Sequence, residues 1–186
     1  MAALLYCGAL FLAACGAGSL LTPRRWRAEG SRLEISLYCL GLGYLAIGMV
    51  LWASSVVAPV TCWHAGGVLA AAAVGLPRFY RIVQGSPPRR SEIPTSWWGV
   101  RAPLVLLGLF AGLNLLGALA PPTMSDVLHI HLGAARHYAT VGGFPFVPYF
   151  GWSAVGLQSV IYTHAVMLSS AAAPAVIHWA LGLLTV

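Results

Sequence analysis

Charge is what this chain has least of. Only 8% of its 186 residues are charged, and lysine does not occur at all. A soluble domain carries about a quarter charged residues, so a water-exposed globular surface is excluded. Acid is scarcest: Glu29, Glu34, Glu92 and the sole aspartate, Asp126. Cysteine is sparse too. Cys7, Cys15, Cys39 and Cys62 form no C-x-x-C pair and lie in or at the ends of apolar runs, so they read as small buried hydrophobes. The N-terminus lacks any basic residue before its first apolar run, and an arginine cluster follows that run. A signal peptide needs the opposite charge order, so the "LAACG" at 12–16 is read as part of an uncleaved helix despite its likeness to a lipoprotein cleavage box. No internal repeat is present.

What fills the chain instead is hydrocarbon. The sequence is 59% hydrophobic with a mean hydropathy of +0.82, and the apolar runs recur along its whole length. That is the pattern of an all-α, polytopic transmembrane protein. Ten arginines against four acids leave a net charge of +6. Such a balance suits nucleic acid in other contexts. Here the arginines cluster beside apolar runs, where they act as topology signals, and nucleic acid is not an expected partner.

About 20 apolar residues are needed to cross a hydrocarbon core of about 30 Å. Runs fall at 3–21, 35–57, 60–76, 103–120 and 152–170, with a sixth beginning near Pro174. Proline closes several of them, because it lacks the N–H that a continuing helix would use. The third run is short and is expected to stop at Pro77. The sixth has room for only about 13 residues, fewer than a crossing needs. The expectation is therefore one transmembrane domain over 1–186, forming the N-terminal part of a longer protein.

Arginine orients the runs. Segments 22–34 and 78–101 hold nine of the ten arginines and are expected to be cytoplasmic loops, since arginine-rich loops stay on that side. The two clusters fall on one side of an alternating six-run arrangement. The N-terminus and segment 121–151 then lie on the extracytoplasmic side. Trp97 and Trp98 are expected to be interfacial anchors.

Segment 121–151 concentrates the polar chemistry. "PPTMSD" ends the fourth run and reads as a helix start, with Thr123 as N-cap and Asp126 as its capping acid. On a helix continuing through Tyr138, Asp126, His129 and His137 fall at roughly 0°, 300° and 20°, near one face. His131 lies roughly 140° from Asp126, so the H-x-H pair cannot chelate one metal from a helix, although a strand would allow it. Asp126 is either a cap or a general base able to reach an acceptor hydroxyl. Arg136 is either a snorkelling anchor or a phosphate clamp. Each histidine is either a headgroup-facing polar residue or part of a binding site. "GGFPFVPYFGW" at 142–152 follows, an aromatic and proline-rich connector suited to the interface.

These residues resemble a known group. "APPTMSDVLHIHL" (120–132), the aromatic–proline stretch and "AAAPAVIHWALGLLT" (171–185) are similar to the N-terminal part of bacterial GT-C-type membrane glycosyltransferases, relatives of the protein O-mannosyltransferases. Asp126 matches the acidic residue of that group, and His131-Leu132 the end of its Tyr-His-Leu triplet. Ile177-His178-Trp179 and Gly182-Leu183-Leu184 match a later helix. Met124 stands where many relatives have a second acid, and Ile130 replaces the triplet's tyrosine. The resemblance implies a multi-pass protein of the bacterial plasma membrane that takes a sugar from a polyprenyl-phosphate donor. The acceptor is extracytoplasmic and Asp126 is the catalytic base. Arg136 and His131 stand near the donor phosphate, with His129 and His137 beside them. Metal dependence stays open, a divalent ion being compatible with the group, and so does oligomeric state.

Two other readings remain. His64, His164 and His178 lie inside apolar runs, where ionisable residues are functional candidates. His164 and His178, expected in the cytoplasmic half of consecutive helices, would suit paired haem ligation or a quinone site. A small non-enzymatic membrane subunit is the third.

Overall fold

The computed structural model describes residues 1–23, 26, 30–87, 97–120, 132–145 and 156–184. Among them every regular element is a helix: α1 (Ala2–Leu21), α2 (Arg32–Val57), α3 (Cys62–Ala73), α4 (Leu76–Gly85), α5 (Trp97–Leu119), α6 (Leu132–Val141), α7 (Leu157–Leu168) and α8 (Ala173–Leu183). Four stretches are long and apolar enough to cross a bilayer: Ala2–Leu21, Arg32–Val57, Cys62–Gly85 and Arg101–Leu119. The third joins α3 and α4. Pro77 does not stop it, because proline sits in the first turn of α4, where its missing N–H costs nothing. Arg78 and Arg81 therefore ride on a helix, and the loop that follows begins after Gly85. Pro103 likewise lies within α5, which starts at Trp97 and carries Arg101.

Local chemistry explains the helix starts. Ser31 and Glu34 form a capping box at α2: the Ser31 N–H donates to Glu34 Oε2 at 2.8 Å, and Ser31 Oγ accepts from the Glu34 N–H. Thr61 caps α3 by accepting from the His64 N–H at 3.1 Å. Gly142, at φ +72°, ends α6, the left-handed conformation that glycine adopts without steric cost.

Helix α1 stands at the centre, packed by α2, α3, α4 and α8. Its contact with α2 is made backbone to backbone. A Cβ added at Gly43 would strike the Ala14 carbonyl, and one at Gly18 would strike Cys39. Close approach through small residues is how membrane helices gain contact when lipid tails are as apolar as leucine. Around that seam Leu10, Ile47, Leu51, Ile161, Val176 and Ile177 form the buried core. Helix α5 is different. Leu104, Val105, Leu109, Phe110, Leu113 and Leu116 are each more than half exposed, and the Trp179 indole tethers it by donating to the Ala111 carbonyl at 2.9 Å.

Both ends of the bundle are fixed by hydrogen bonds. At one, the Arg32 N–H donates to Pro87 O at 3.0 Å and Arg32 Nε to Ser86 O at 2.9 Å. The start of α2 and the residues just after α4 thus meet at this end, with Arg32 at the contact. At the other, beyond Val57, the Val60 N–H donates to Gly142 O at 2.7 Å. The end of α6 and the α2–α3 turn share this far end.

The fifth run departs from expectation. Helix α7 has 12 residues, about 18 Å at 1.5 Å per residue, shorter than a crossing. Near its start, Gln158 accepts from the Tyr44 hydroxyl at 2.9 Å, midway along α2. Near its finish, the Met167 carbonyl meets Cys62 Sγ at 3.7 Å. Helix α7 therefore runs from mid-depth toward the far end, parallel to α2, the reverse of simple alternation. Helix α8, with 11 residues, turns back from there.

Candidate functional site

The polar groups gather toward the far end. Thr61 starts α3, and one turn along it His64 Nε2 lies 2.6 Å from Ser54 Oγ of α2. Ser54 also bonds the Val50 carbonyl. A carbonyl only accepts, so the hydroxyl hydrogen goes there, and a neutral His64 donates from Nε2. Its Nδ1 is then a lone-pair acceptor, buried and without a hydrogen-bond partner among the described residues.

His164 on α7 stands opposite, the two ring centres 5.9 Å apart at 64°. It is 1% exposed. Its Nδ1 sits 2.7 Å from the Val160 carbonyl, which fixes the proton on that atom. Its Nε2 is buried and has no hydrogen-bond partner among the described residues. Two helices thus bring together two imidazoles that each keep an open nitrogen. Such atoms are uncommon in folded proteins, since an unpaired buried polar group costs about 1–3 kcal/mol.

A second polar layer lies deeper. Tyr44 donates to Gln158 Oε1, while Gln158 Nε2 has no hydrogen-bond partner among the described residues. Tyr162 and His178 meet at 3.4 Å between hydroxyl and Nδ1. His178 therefore turns to Tyr162, and the partner of His164 is His64. The pairing of His164 with His178 does not occur, and both rings lie in the far half of the bundle. The cause is the reversed course of α7, which lifts His164 to the level where α3 begins.

Arg136 and His137 are on α6. Leu132, Ala134, Ala135 and Tyr138 are buried, Arg136 is exposed and His137 is half-buried beside Tyr138, with ring centres 5.8 Å apart. Tyr138 stacks edge-on against Phe144 at 5.0 Å, and burial pushes its phenol up from the ordinary value. Arg136 and His137 thus face different surroundings, one outward and one toward the packed side. Asp126, His129 and His131 lie outside the described residues, as do the Thr123 cap and the shared face proposed for Asp126. Among the described residues, no three His, Cys, Asp or Glu side chains gather where a metal ion could be held.

The four cysteines form no disulfide among the described residues. Cys7 and Cys39 are buried as expected, Cys15 is half-buried and Cys62 is exposed at the far end. An apolar groove of about 450 Å³ opens along α3, with His64 at one end. The His64–His164 pair was hidden in the sequence, since 100 residues separate the partners. Ser54, one of the few hydroxyls in the second run, was the available signal. Compared with protein-family models, curated proteins and solved structures, the chain has no match.

Proposed function

We propose that this chain serves a membrane glycosyltransferase that moves a sugar from a polyprenyl-phosphate donor to an acceptor on the far-end face. Asp126 is the general base, taking the proton of the acceptor hydroxyl as its oxygen bonds the sugar's anomeric carbon and the bond from that carbon to the phosphate oxygen breaks, polyprenyl phosphate leaving. Arg136 holds the donor phosphate, with His129, His131 and His137 lining the same polar segment. One observation supports this reading above others. The α6 end bonds the α2–α3 turn at Val60, while Arg32 bonds the residues just after α4. The end of α6 and the Arg32 contact lie at opposite ends of α2, which supports a site on the side away from that arginine.

The test is sugar transfer by the full chain in vesicles supplied with a polyprenyl-phosphate sugar. Asp126→Ala is expected to lower transfer by about 100-fold or more, the usual weight of a positioned base. Transfer within tenfold of the parent would contradict the role.

A second reading, electron transfer through a haem, draws on the open nitrogens of His64 and His164, which are the kind of lone pairs that iron takes. It requires a Soret band in the purified protein, bleached by His164→Leu. A colourless protein after haem supplementation rejects it.

A further inference from the structure

Helices α3 and α7 each hold one imidazole in the same manner. His64 Nε2 gives its hydrogen to Ser54 Oγ at 2.6 Å, and His164 Nδ1 gives its hydrogen to the Val160 carbonyl at 2.7 Å. Metal-binding histidines are built this way. An acceptor behind one ring nitrogen fixes the tautomer, orients the ring and raises the basicity of the other nitrogen. Those other nitrogens, His64 Nδ1 and His164 Nε2, are buried and have no hydrogen-bond partner among the described residues.

Spacing narrows what can join them. With bonds of about 2.0 Å, an ion on a straight line between two imidazole nitrogens sets the ring centres about 6.3 Å apart, and a tetrahedral angle sets them about 5.1 Å apart. The observed 5.9 Å falls between, toward the straight arrangement. Water is a poorer occupant. A buried water typically makes about three hydrogen bonds, and these lone pairs supply only two. The polar hydrogens of His64, Ser54 and His164 are already committed to Ser54, Val50 and Val160, so none of them is left for the water's oxygen.

Charge and ligand number choose the ion. Both donors are neutral, and the one carboxylate among the described residues, Glu34, is engaged in the capping box at the opposite end of α2. A dication would keep its full charge unbalanced beside hydrocarbon, which is costly, and zinc would still lack two of its four ligands. Copper(I) carries half that charge, accepts two donors in a nearly straight line, and takes imidazole well. An ion can enter from the far end, because His64 lies one turn into α3 behind exposed Thr61, Cys62 and Trp63.

We infer that His64 Nδ1 and His164 Nε2 together bind one copper(I) ion between α3 and α7, a site separate from the Asp126 segment and independent of sugar transfer. The ion enters and leaves as copper(I), so no electron is exchanged. The haem reading uses the same nitrogens, and the two cannot hold at once.

The experiment is an anaerobic titration of the full chain in detergent with copper(I) against a chromogenic copper(I) chelator. Thiols also take copper(I), so the quantity read is the difference between the parent and each variant. His64→Leu and His164→Leu are each expected to lose one equivalent of bound copper. Ser54→Ala removes only the acceptor behind His64 and is expected to weaken that equivalent by about tenfold or more. His178→Leu and Cys62→Ser are expected to retain it. Copper(I) is also expected to raise the thermal unfolding midpoint of the parent and not that of His164→Leu. Copper binding unmoved by Ser54→Ala or by either leucine variant would overturn the inference. Loss of the same equivalent in Cys62→Ser would assign the ion to thiols and overturn it as well. So would a Soret band bleached by His164→Leu, which would give both nitrogens to haem.

Discussion

His164 shows how a single buried side chain separates structural from functional work. Among the described residues its one hydrogen bond, to the Val160 carbonyl four residues back, is local and replaceable, and Nε2 is buried with no partner. Replacing the ring by hydrocarbon of similar size removes an unpaired polar atom. His164→Leu is therefore expected to leave unfolding in detergent within about 1 kcal/mol of the parent, or to raise stability slightly. A loss of about 3 kcal/mol or more would show that Nε2 has a partner essential to the fold. The same scale explains what the sequence hid. Three histidines inside apolar runs were visible, and an intramembrane ionisable residue is rightly a candidate. Which two would face each other depended on the direction of α7, and apolarity carries no direction. The Ser31–Glu34 capping box at the start of α2 went unread, although its S-x-x-E spacing carries it.

At the scale of the element, glycine decides how closely α1 and α2 approach. Gly43 faces the Ala14 backbone and Gly18 faces Cys39, so a side chain at either meets main-chain atoms that cannot rotate away. Gly43→Leu is expected to cost about 3 kcal/mol or more, beyond ordinary overpacking, read as a lower midpoint of thermal unfolding in detergent. A midpoint within a degree or two of the parent would mean that the seam is looser than its geometry. Helix boundaries were less legible than helix existence. The third run continued through Pro77 because proline belongs in a helix's first turn, and α5 began six residues earlier than its apolar stretch. The short α7 and α8 were foreseen only in part. The sixth run was visibly too brief, whereas the fifth looked long enough and yielded a helix of 12 residues.

For the whole molecule, the separation of its two ends organises everything else. An all-helical chain with several helices long and apolar enough to cross a membrane was legible from composition, because 8% charge is far below what a soluble surface carries. Of the two arginine segments, the described residues show one contact, Arg32 at the start of α2 bonded to Ser86 and Pro87 just after α4. The depth and sense of α7 were not legible, since they arise from packing of Gln158 on Tyr44 and Met167 on Cys62. The candidate site was readable only as a segment rich in polar residues. Its catalytic face depends on residues 121–131, which lie outside the described part, and its groove depends on three helices meeting.

The most direct test of the account is sidedness. In a variant without native cysteines, Thr140→Cys places a thiol on exposed α6, and Arg25→Cys places one in the first arginine segment. A membrane-impermeant maleimide applied to right-side-out vesicles is expected to label the thiol at position 140 and spare the one at 25, with the pattern exchanged in inverted vesicles. Labelling of both positions from the same side would contradict the separation on which the proposed chemistry stands.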